Sequence, residues 1–462
     1  MIRNFITGMS VTFKVPSPIH WRGIWLSVFA GLTVLLLLSG CTEDSTKQKP
    51  VGAIKVAVGD ERMFEWYYQD YFDLVYPDVP IEFVITGDIY KDGDPLGAYA
   101  KLIEENKPDI IISAPAYYDH IANLGLLEDL TDWMSRSKMV ETDYQPGVVK
   151  MLKNNQEHKI YGLSPDYDSS LLYYNADLFK QFGIEPPTSG MTWKELLQLS
   201  SRFEQAGKSE EDIIGYHDPW MQDLNSFIFN TLNGTEGLQL VDWKRGKHLI
   251  DTPAWRQLME TGVNAIREGG VKIQGVELRE EDGVKYIDEG AIAKQDLFAK
   301  GKAAMAIDMY ANRTRFDQAK FNWSAVLPPV NSANRESGGF MRMDGVFSIA
   351  ASSQIKEEAW KMLRFIGGER VAKVISKTDG KLSIHQSGLK YNTDPLAEIA
   401  FSQQPTLTPV DFTDRGDFYK EENAMIETEL QAVLKEKQTL DAAIQNMQKK
   451  GQAFVDLYGV KK

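Results

Sequence analysis

The segment from Tyr161 to Trp193 constrains the fold more than any other part of this chain, because it predicts a buried strand followed by two helices with marked ends. The apolar and aromatic run at 171–174 is typical of a strand. Asn175 can cap the next helix, and Gly183 is suited to end it. Thr192 and Glu195 then form a capping box that predicts the second helix.

A bend rich in polar and aromatic residues precedes this strand. Pro165 is followed by Asp166, Tyr167 and Asp168. We expect such a bend to lie beside a cleft if the segment connects two lobes of one protein. The two aspartates could instead form an Asx-type turn, in which a carboxylate bonds to its own backbone.

The order of these features resembles the crossover of the extracellular solute-binding proteins of bacterial ABC importers, in the maltose-binding-like group. Members of that group carry Tyr-Tyr-Asn, a short helix, Gly-Ile or Gly-Val, Pro-Pro-Thr and Thr-Trp-x-Glu-Leu. This chain has all five in that order between Tyr173 and Leu196. The segments Pro108–Trp133 and Gly301–Arg313 also resemble that family. The resemblance implies an α/β protein with the two-lobed periplasmic-binding-protein fold and three crossings between the lobes.

The N-terminal 50 residues predict a lipoprotein leader and a tether. Basic side chains precede an apolar run from Ile24 to Leu38, about 15 residues, which is short of the roughly 20 that a membrane span needs. The sequence Leu-Ser-Gly-Cys that ends at Cys41 resembles the bacterial lipobox. Residues 1–40 are therefore predicted to be a signal peptide, and Cys41, the single cysteine, a lipidation site. Residues 41–50 are polar and predict a flexible tether.

Strand and helix patterns alternate between Ile54 and Ser113. An apolar strand at 54–58, a helix from Phe64 to Val75, a strand at 81–86, a helix near 98–106 and a strand at 109–113 predict a right-handed parallel sheet. In open parallel sheets, ligands bind beyond the carboxyl ends of the strands. The resemblance places residues 51–164 and 309–345 in lobe I, and residues 165–308 and 346–462 in lobe II.

The candidate ligand-binding residues are aromatic and polar side chains at the predicted loops and crossings. Aromatic rings can cover the C–H faces of a sugar, while charged and amide groups hold its hydroxyls in fixed geometry. The candidates are Tyr117, Tyr118, Asp119, Tyr167, Asp168, Trp220, Asp308, Tyr310, Arg342 and Asp344, with Asp60 and Trp66 as secondary candidates. Tyr117 and Tyr118 could equally pack within their own lobe, and Trp220 could be a core residue at a helix start.

Charge and motifs exclude several classes of function. The net charge of −14 argues against a nucleic-acid partner, because phosphate backbones bind basic surfaces. The sequence has no G-x-S-x-G, H-E-x-x-H or phosphate-loop motif, and its six histidines lack metal-ligand spacing. We therefore predict no catalytic residue, no cofactor and no metal site.

Three functions fit this sequence. The first is a lipid-anchored receptor that captures a sugar or oligosaccharide in a hinged cleft and delivers it to the permease subunits of an ABC importer. The second is a secreted glycan hydrolase in which two carboxylates such as Asp166 and Asp168 act as acid and base. The third is a ligand sensor that signals to a membrane kinase. All three predict an extracytoplasmic protein.

Overall fold

The computed structural model describes residues 52–91, 95–153, 157–206, 213–219, 221, 223–273, 278–281, 284–287, 293–378, 380–407 and 416–459. The predicted signal peptide, Cys41, the tether and Trp220 lie outside these residues. The strands are β1 (Ile54–Val58), β2 (Ile81–Ile85), β3 (Ile110–Ser113), β4 (Gly162–Leu163), β5 (Asp166–Asn175), β6 (Ile214–Tyr216), β7 (Val241–Asp242), β8 (Lys247–His248), β9 (Leu278–Glu281), β10 (Val284–Ile287), β11 (Ala303–Met309), β12 (Trp323–Val326), β13 (Met341–Arg342), β14 (Val346–Ile349) and β15 (Leu382–Ser383).

Helices pack on both main sheets and also form the C-terminal part of the chain. The α-helices are α1 (Glu61–Tyr67), α2 (Gln69–Val75), α3 (Pro95–Asn106), α4 (Pro115–Asn123), α5 (Thr131–Arg136), α6 (Pro146–Leu152), α7 (Ala176–Phe182), α8 (Trp193–Ala206), α9 (Asn233–Glu236), α10 (Pro253–Arg267), α11 (Lys356–Ile366), α12 (Glu369–Ile375), α13 (Leu396–Phe401), α14 (Gly416–Leu434) and α15 (Leu440–Tyr458). Short 3₁₀ turns occupy Gly87–Lys91, Glu141–Asp143, Tyr310–Phe316 and Gln386–Lys390, and Ser226–Leu232 is a π-helix.

The first lobe is built on a five-stranded sheet in the order β2-β1-β3-β14-β4. Strand β1 pairs in parallel with β2 and β3, as the alternation of strands and helices predicted. Strand β14 is antiparallel to both of its neighbours, β3 and β4. The residues of β3 and β14 are all buried, because helices cover both faces of the sheet.

The predicted helix from Phe64 to Val75 is two helices, α1 and α2, that meet at Tyr68. The Asp60 carboxylate caps α1 by accepting a hydrogen bond from Met63 N at 2.9 Å. The break turns the Tyr68 ring edge-on to Phe347 of the sheet, with ring centroids 5.2 Å apart. This contact brings the Tyr68 side chain to the place where the two lobes join.

The second lobe is built around the long strand β5, in a sheet of order β12-β5-β11-β6. Strands β11 and β12 run antiparallel to β5, and β6 runs parallel to β11. The start of β5 also pairs with the short strands β13 and β15. One strand thus carries the chain from the lobe junction through the centre of the second lobe.

The helix boundaries that were read from the crossover segment are confirmed. Asn175 Oδ1 accepts hydrogen bonds from the backbone N–H groups of residues 177 and 178, each at 3.1 Å. Gly183 ends α7 in the left-handed conformation, with φ of 64°. Glu195 Oε2 accepts a bond from Thr192 N at 2.6 Å, and Glu195 N donates to Thr192 Oγ1 at 3.3 Å, which completes the capping box.

The strand pairing differs from the predicted division into lobes at two places. Strand β12 was predicted in lobe I, but it pairs with β5 in the second sheet. Strand β14 was predicted in lobe II, but it lies between β3 and β4 in the first sheet, and α11 covers it. The reason is that a fully buried apolar strand needs a partner on each side, and β3 and β4 provide both.

The chain changes sheets between Leu163 and Asp166, between Arg342 and Val346, and between Ile349 and Leu382, where β15 returns to pair with β5. The crossing that was predicted near Met309 is not a change of sheet, since β11 and β12 both pair with β5. The total of three crossings stays a prediction.

The C-terminal helices α14 and α15 lie antiparallel against the second lobe and add to its core. Their buried side chains join those of α8, α10 and the π-helix in one apolar cluster. A second cluster fills the first lobe and continues to the junction side of the second sheet. The structure is thus a pair of α/β lobes joined near the start of β5.

Candidate solute-binding site

The junction brings distant loops to the carboxyl edge of the first sheet. Because Val346 is paired with Ser113 and Phe347 with Leu163, residues 344–345 lie beside the ends of β3 and β4. Gly345 is required there, since a Cβ at this position would lie 2.5 Å from the Tyr68 hydroxyl. Tyr68 therefore abuts the backbone that joins the lobes.

One face of β5 gathers the charged groups of the junction. Asp168 is paired with Arg342 of β13, and Asp166 with Ser383 of β15. Alternation along the strand puts Asp166 and Asp168 on one face and Tyr167 on the other. Lys381, which lies two residues before Ser383, joins this face through its ion pairs. We call Asp166, Asp168, Arg342, Asp344 and Lys381 the hinge cluster.

The two cations of the hinge cluster are already engaged. Lys381 Nζ lies 3.2 Å from Asp166 Oδ1 and also bonds to Asp344. Arg342 Nε lies 3.1 Å from Asp344 Oδ1. Three carboxyl groups thus share two cations, and the cluster carries a negative excess when all are ionised.

Asp168 is the group in this cluster whose bonding is incomplete. Its side chain is 1% exposed, and its Oδ1 accepts hydrogen bonds from Ser169 N at 2.9 Å and Ala311 N at 3.1 Å. Its Oδ2 is buried without a hydrogen-bond partner among the described residues. Burial raises the pKa of Asp168 to about 6, against the opposing effects of its backbone bonds and the two nearby cations. Burial also raises the pKa of Asp166, although Lys381 acts in the opposite direction.

Aromatic side chains of the first lobe face this charge. Burial raises the pKa of Tyr68, and the carboxylates of Asp344 and Asp166 add to that rise. The pKa of Tyr71 is raised by burial and by Asp166. Tyr67, the neighbour of Tyr68, is 51% exposed. On the β13 side, Phe340 is also 51% exposed, and its N–H donates to Ser170 Oγ at 2.8 Å. Exposed rings and carboxyl groups therefore border the same junction.

Several predicted site residues lie in the core instead. Tyr118 is 1% exposed, its hydroxyl donates to Leu152 O, and the same oxygen accepts from Tyr161 N at 2.9 Å. Tyr117 is buried against the Tyr99 ring, with centroids 5.0 Å apart. Asp119 is half-buried on the same helix, and Asn123 Nδ2 donates to it at 3.4 Å. Both tyrosines fill the interior of the first lobe, as the alternative interpretation of the sequence held.

The candidates of the second lobe are also internal. Tyr167 is fully buried on the face of β5 that points away from Asp168, beside Phe401. Tyr310 is fully buried beneath the Arg313 guanidinium, which lies 3.9 Å from its ring centroid. Asp308 is 7% exposed and forms an ion pair with Arg315 at 2.7 Å. These side chains pack in the interior beneath the junction, whereas the sequence predicted that they contact a ligand.

The two secondary candidates have separate outcomes. Asp60 is the cap of α1, so its carboxylate has a structural role. Trp66, on the same helix, is 64% exposed and is free to contact a ligand.

The structure adds residues that sequence reasoning missed. Lys381 and the rings of Tyr67 and Phe340 were not predicted, because no local pattern distinguishes them from ordinary surface residues. Tyr67 is the last residue of α1, the helix that follows β1, and becomes a site candidate only through its exposure next to Tyr68. Lys381 becomes a site residue only through the pairing of β15 with β5.

Among the described residues, no group of three or more His, Cys, Asp or Glu side chains is arranged to hold a metal ion. In the same part of the chain, no helix has both the length and the apolar character that crossing a membrane requires.

Comparison with known proteins identifies the group to which this arrangement belongs. A Brucella abortus protein that is named only as a binding protein is 23% identical over 323 residues, which cover 65% of this chain and 70% of that protein. The sn-glycerol-3-phosphate-binding periplasmic protein UgpB of Salmonella paratyphi A is 24% identical over 311 residues, covering 63% of this chain and 66% of its own length.

Solved structures share the two-lobed fold. The sugar-binding protein MalE from Xanthomonas citri has a TM-score of 0.62 at 17% identity, over 88% of this chain and 98% of that chain. UgpB from Mycobacterium tuberculosis, solved with glycerophosphocholine, has a TM-score of 0.55 at 18% identity, over 88% and 99% of the two chains.

The family model of the bacterial extracellular solute-binding proteins matches residues 62–373, which include strand β5 and four of the five residues of the hinge cluster, all but Lys381. The match extends over more than half of the chain. This protein therefore belongs to the bacterial extracellular solute-binding protein family.

Proposed function

We propose that this chain is the receptor of an ABC importer, that it binds a neutral sugar or oligosaccharide at the lobe junction, and that it releases the sugar unchanged to the permease. The observation that carries the proposal is the buried Asp168 carboxylate, which has one oxygen without a partner at the junction. A sugar hydroxyl donates to such an oxygen and supplies the missing hydrogen bond.

The surroundings of Asp168 suit a neutral solute. Arg342 and Lys381 are already paired with carboxylates, so neither is free to balance a phosphate. The exposed rings of Tyr67 and Phe340 offer flat apolar faces to the C–H groups of a sugar. The sugar-binding protein of Xanthomonas citri supports this choice by its fold, and the UgpB relatives supply the competing solute class.

Anchoring and delivery follow from the leader and the family. Lipidation at Cys41 would hold the folded lobes on the outer side of the membrane, where the permease subunits are reached without diffusion away from the cell. Closure of the lobes around the sugar would signal that the site is loaded, since the contacts that favour closure exist only when both lobes grip the ligand.

The test is a thermal-shift screen of neutral sugars, oligosaccharides, polyols and glycerol 3-phosphate, followed by calorimetry of the hits. We expect a neutral saccharide to raise the melting temperature, and Asp168→Asn to weaken its affinity by about tenfold or more, roughly 1.4 kcal/mol. The matched control is Asp132→Asn, a carboxylate exposed on α5 of the first lobe. Equal affinities of the two variants would remove Asp168 from the site.

A second measurement separates a receptor from a hydrolase. Mass spectrometry of the recovered ligand after long incubation should show the input saccharide alone. Cleaved products that disappear in Asp166→Asn or Asp168→Asn would favour the hydrolase. Uptake of the labelled saccharide by cells, lost when the gene is deleted, would favour import over sensing.

A further inference from the structure

We propose that one face of the first lobe, formed by α2, α11 and α12, docks on an anionic lipid surface. This basic face is defined by Leu74, Lys361, Arg364, Arg370, Lys373 and Val374, and it is independent of the solute that the junction binds. Helix α11 packs on β14 of the first sheet and contacts both α2 and α12.

A groove between α2 and the two later helices forms the centre of the basic face. Its volume is about 410 Å³, and its lining includes Leu74, Phe365, the three cations Lys361, Arg364 and Arg370, and one carboxylate, Glu369. Leu74 is 62% exposed, and Val374, one turn beyond Arg370, is 61% exposed. Large apolar side chains at this exposure lose water contact when they enter an interface, which is favourable.

The charges around the groove are mostly unbalanced. On α12, Arg370, Lys373 and Val374 follow the spacing i, i+3 and i+4, so they share one exposed stripe, and the exposed Lys377 lies just beyond the end of the helix. Arg364, Arg370, Lys373 and Lys377 have no carboxylate within ion-pair distance among the described residues. Lys361 is paired with Glu358 at 2.7 Å.

This cationic stripe contrasts with the chain as a whole, whose net charge is −14. An exposed cluster of this sign on an acidic protein favours an anionic partner at one face only.

The start of β1, the first strand of the fold, lies close to the basic face. Ile54 N donates to Pro80 O at 2.9 Å, in the loop that joins the end of α2 to β2. In the same loop, the Tyr76 hydroxyl donates to Glu358 O of α11 at 2.7 Å. Leu74 therefore lies only a few residues before the α2–β2 loop, to which the start of β1 is hydrogen-bonded. Residues 42–51 span at most about 35 Å when fully extended, which keeps this part of the lobe near a membrane-anchored Cys41.

The strength of membrane binding that we expect depends on the number of basic side chains on this face. Each basic side chain near an anionic bilayer is attracted to it, and this attraction falls with ionic strength. Four or five such side chains with two apolar neighbours add a second membrane contact to the lipid anchor, which holds the lobe in one orientation.

The experiment uses the full chain inserted into vesicles of phosphatidylcholine alone or mixed with phosphatidylglycerol. A cysteine is introduced by Leu74→Cys and carries an environment-sensitive fluorophore, and the matched control is Leu124→Cys, at a position 53% exposed. Any label on Cys41 contributes equally to both variants. We expect a blue shift for the Leu74 reporter only, only in the anionic vesicles, and reversed by high salt.

Charge reversal provides the second arm. Arg364→Glu with Arg370→Glu, or separately Lys373→Glu with Lys377→Glu, is added to the Leu74→Cys reporter. Each pair should strongly reduce the blue shift of the reporter in anionic vesicles. The melting temperature should be unchanged, since these side chains are exposed. A reporter signal that is the same in both lipid mixtures, or equal at the two labelled positions, would overturn the proposal. So would a signal at Leu74 that requires an added acidic protein, because that result assigns the face to a protein partner.

Discussion

Two groups of interacting titratable side chains in this molecule differ in their burial, the hinge cluster and a pair formed by His248 and Glu422. In the pair, the side chains are 0% and 1% exposed, and His248 Nε2 bonds to Glu422 Oε1. In the hinge cluster, the side chains of Lys381, Asp344 and Arg342 are 26%, 38% and 48% exposed. The pair is closed to solvent, whereas the cluster is reached from the surface.

The two places also differ in what they connect. The pair joins β8 to α14, and Gly451 of α15 closes over it, since a Cβ there would lie 2.4 Å from the imidazole. Gln452 and Gln448 of α15 add hydrogen bonds to the backbone of His248, each at 3.0 Å. The cluster joins two lobes, with exposed rings beside it. Burial of charge therefore does not by itself mark a binding site. The hinge cluster differs in that its buried Asp168 lies beside charged side chains that are reached from the surface.

The largest expected effect breaks the closed pair. His248→Ala leaves the Glu422 carboxyl buried without its partner and opens a cavity, so the free energy of unfolding should fall by about 3–5 kcal/mol. Urea unfolding of the purified protein measures this change. The matched control is Lys101→Ala, which removes an ion pair to Glu105 between side chains that are 73% and 64% exposed and should cost at most about 1 kcal/mol. Equal losses in the two variants would contradict the comparison.

The next effect concerns pH and stability at the hinge cluster. The folded pKa of Asp168 is about 6, above the ordinary value of 3.8, so the folded state favours the protonated form. The stability that Asp168 contributes is present below the unfolded pKa and is lost as the pH rises through about 6. Asp168→Asn should therefore be more stable than the parent near neutral pH, by roughly 2–3 kcal/mol, and similar to it at low pH.

Unfolding curves of both proteins across this pH range measure the difference. A parent-to-variant difference that stays constant with pH would show that Asp168 does not titrate as its burial indicates.

The smallest effect separates affinity from stability. Phe340→Ala should weaken saccharide binding by about tenfold, roughly 1.4 kcal/mol, because the ring would lie against the C–H face of the sugar. The melting temperature of the free protein should change little, since the side chain is 51% exposed. The control is Val140→Ala, at a position of equal exposure on the first lobe, which should alter neither quantity. If Phe340→Ala lowers the melting temperature but leaves the affinity for the saccharide unchanged, the role of Phe340 is structural.

Local signals in the sequence were sufficient for much of the second lobe's framework. The cap at Asn175, the stop at Gly183 and the capping box of Thr192 and Glu195 all act within a few residues, so the sequence alone defines them. The parallel order of β1, β2 and β3 likewise follows from short connections that permit one handedness. The family resemblance, based on these same segments, was confirmed.

The candidate site was predicted only in part. Asp168, Arg342 and Asp344 meet at the junction, and each was a candidate from the sequence. Four other candidates are buried, namely Tyr117, Tyr118, Tyr167 and Tyr310. The sequence did not reveal this, because a pattern of aromatic residues does not show which side of an element faces the core.

What the sequence determined by itself is the set of strands and helices with their ends, because these depend on contacts within about one turn of the chain. Tertiary structure alone decided that β14 enters the first sheet and that Lys381 reaches Asp166 across more than two hundred residues. Pairing over such separations depends on which edges remain free after the local elements have formed. For that reason, the charge balance of the junction is a property of the folded molecule.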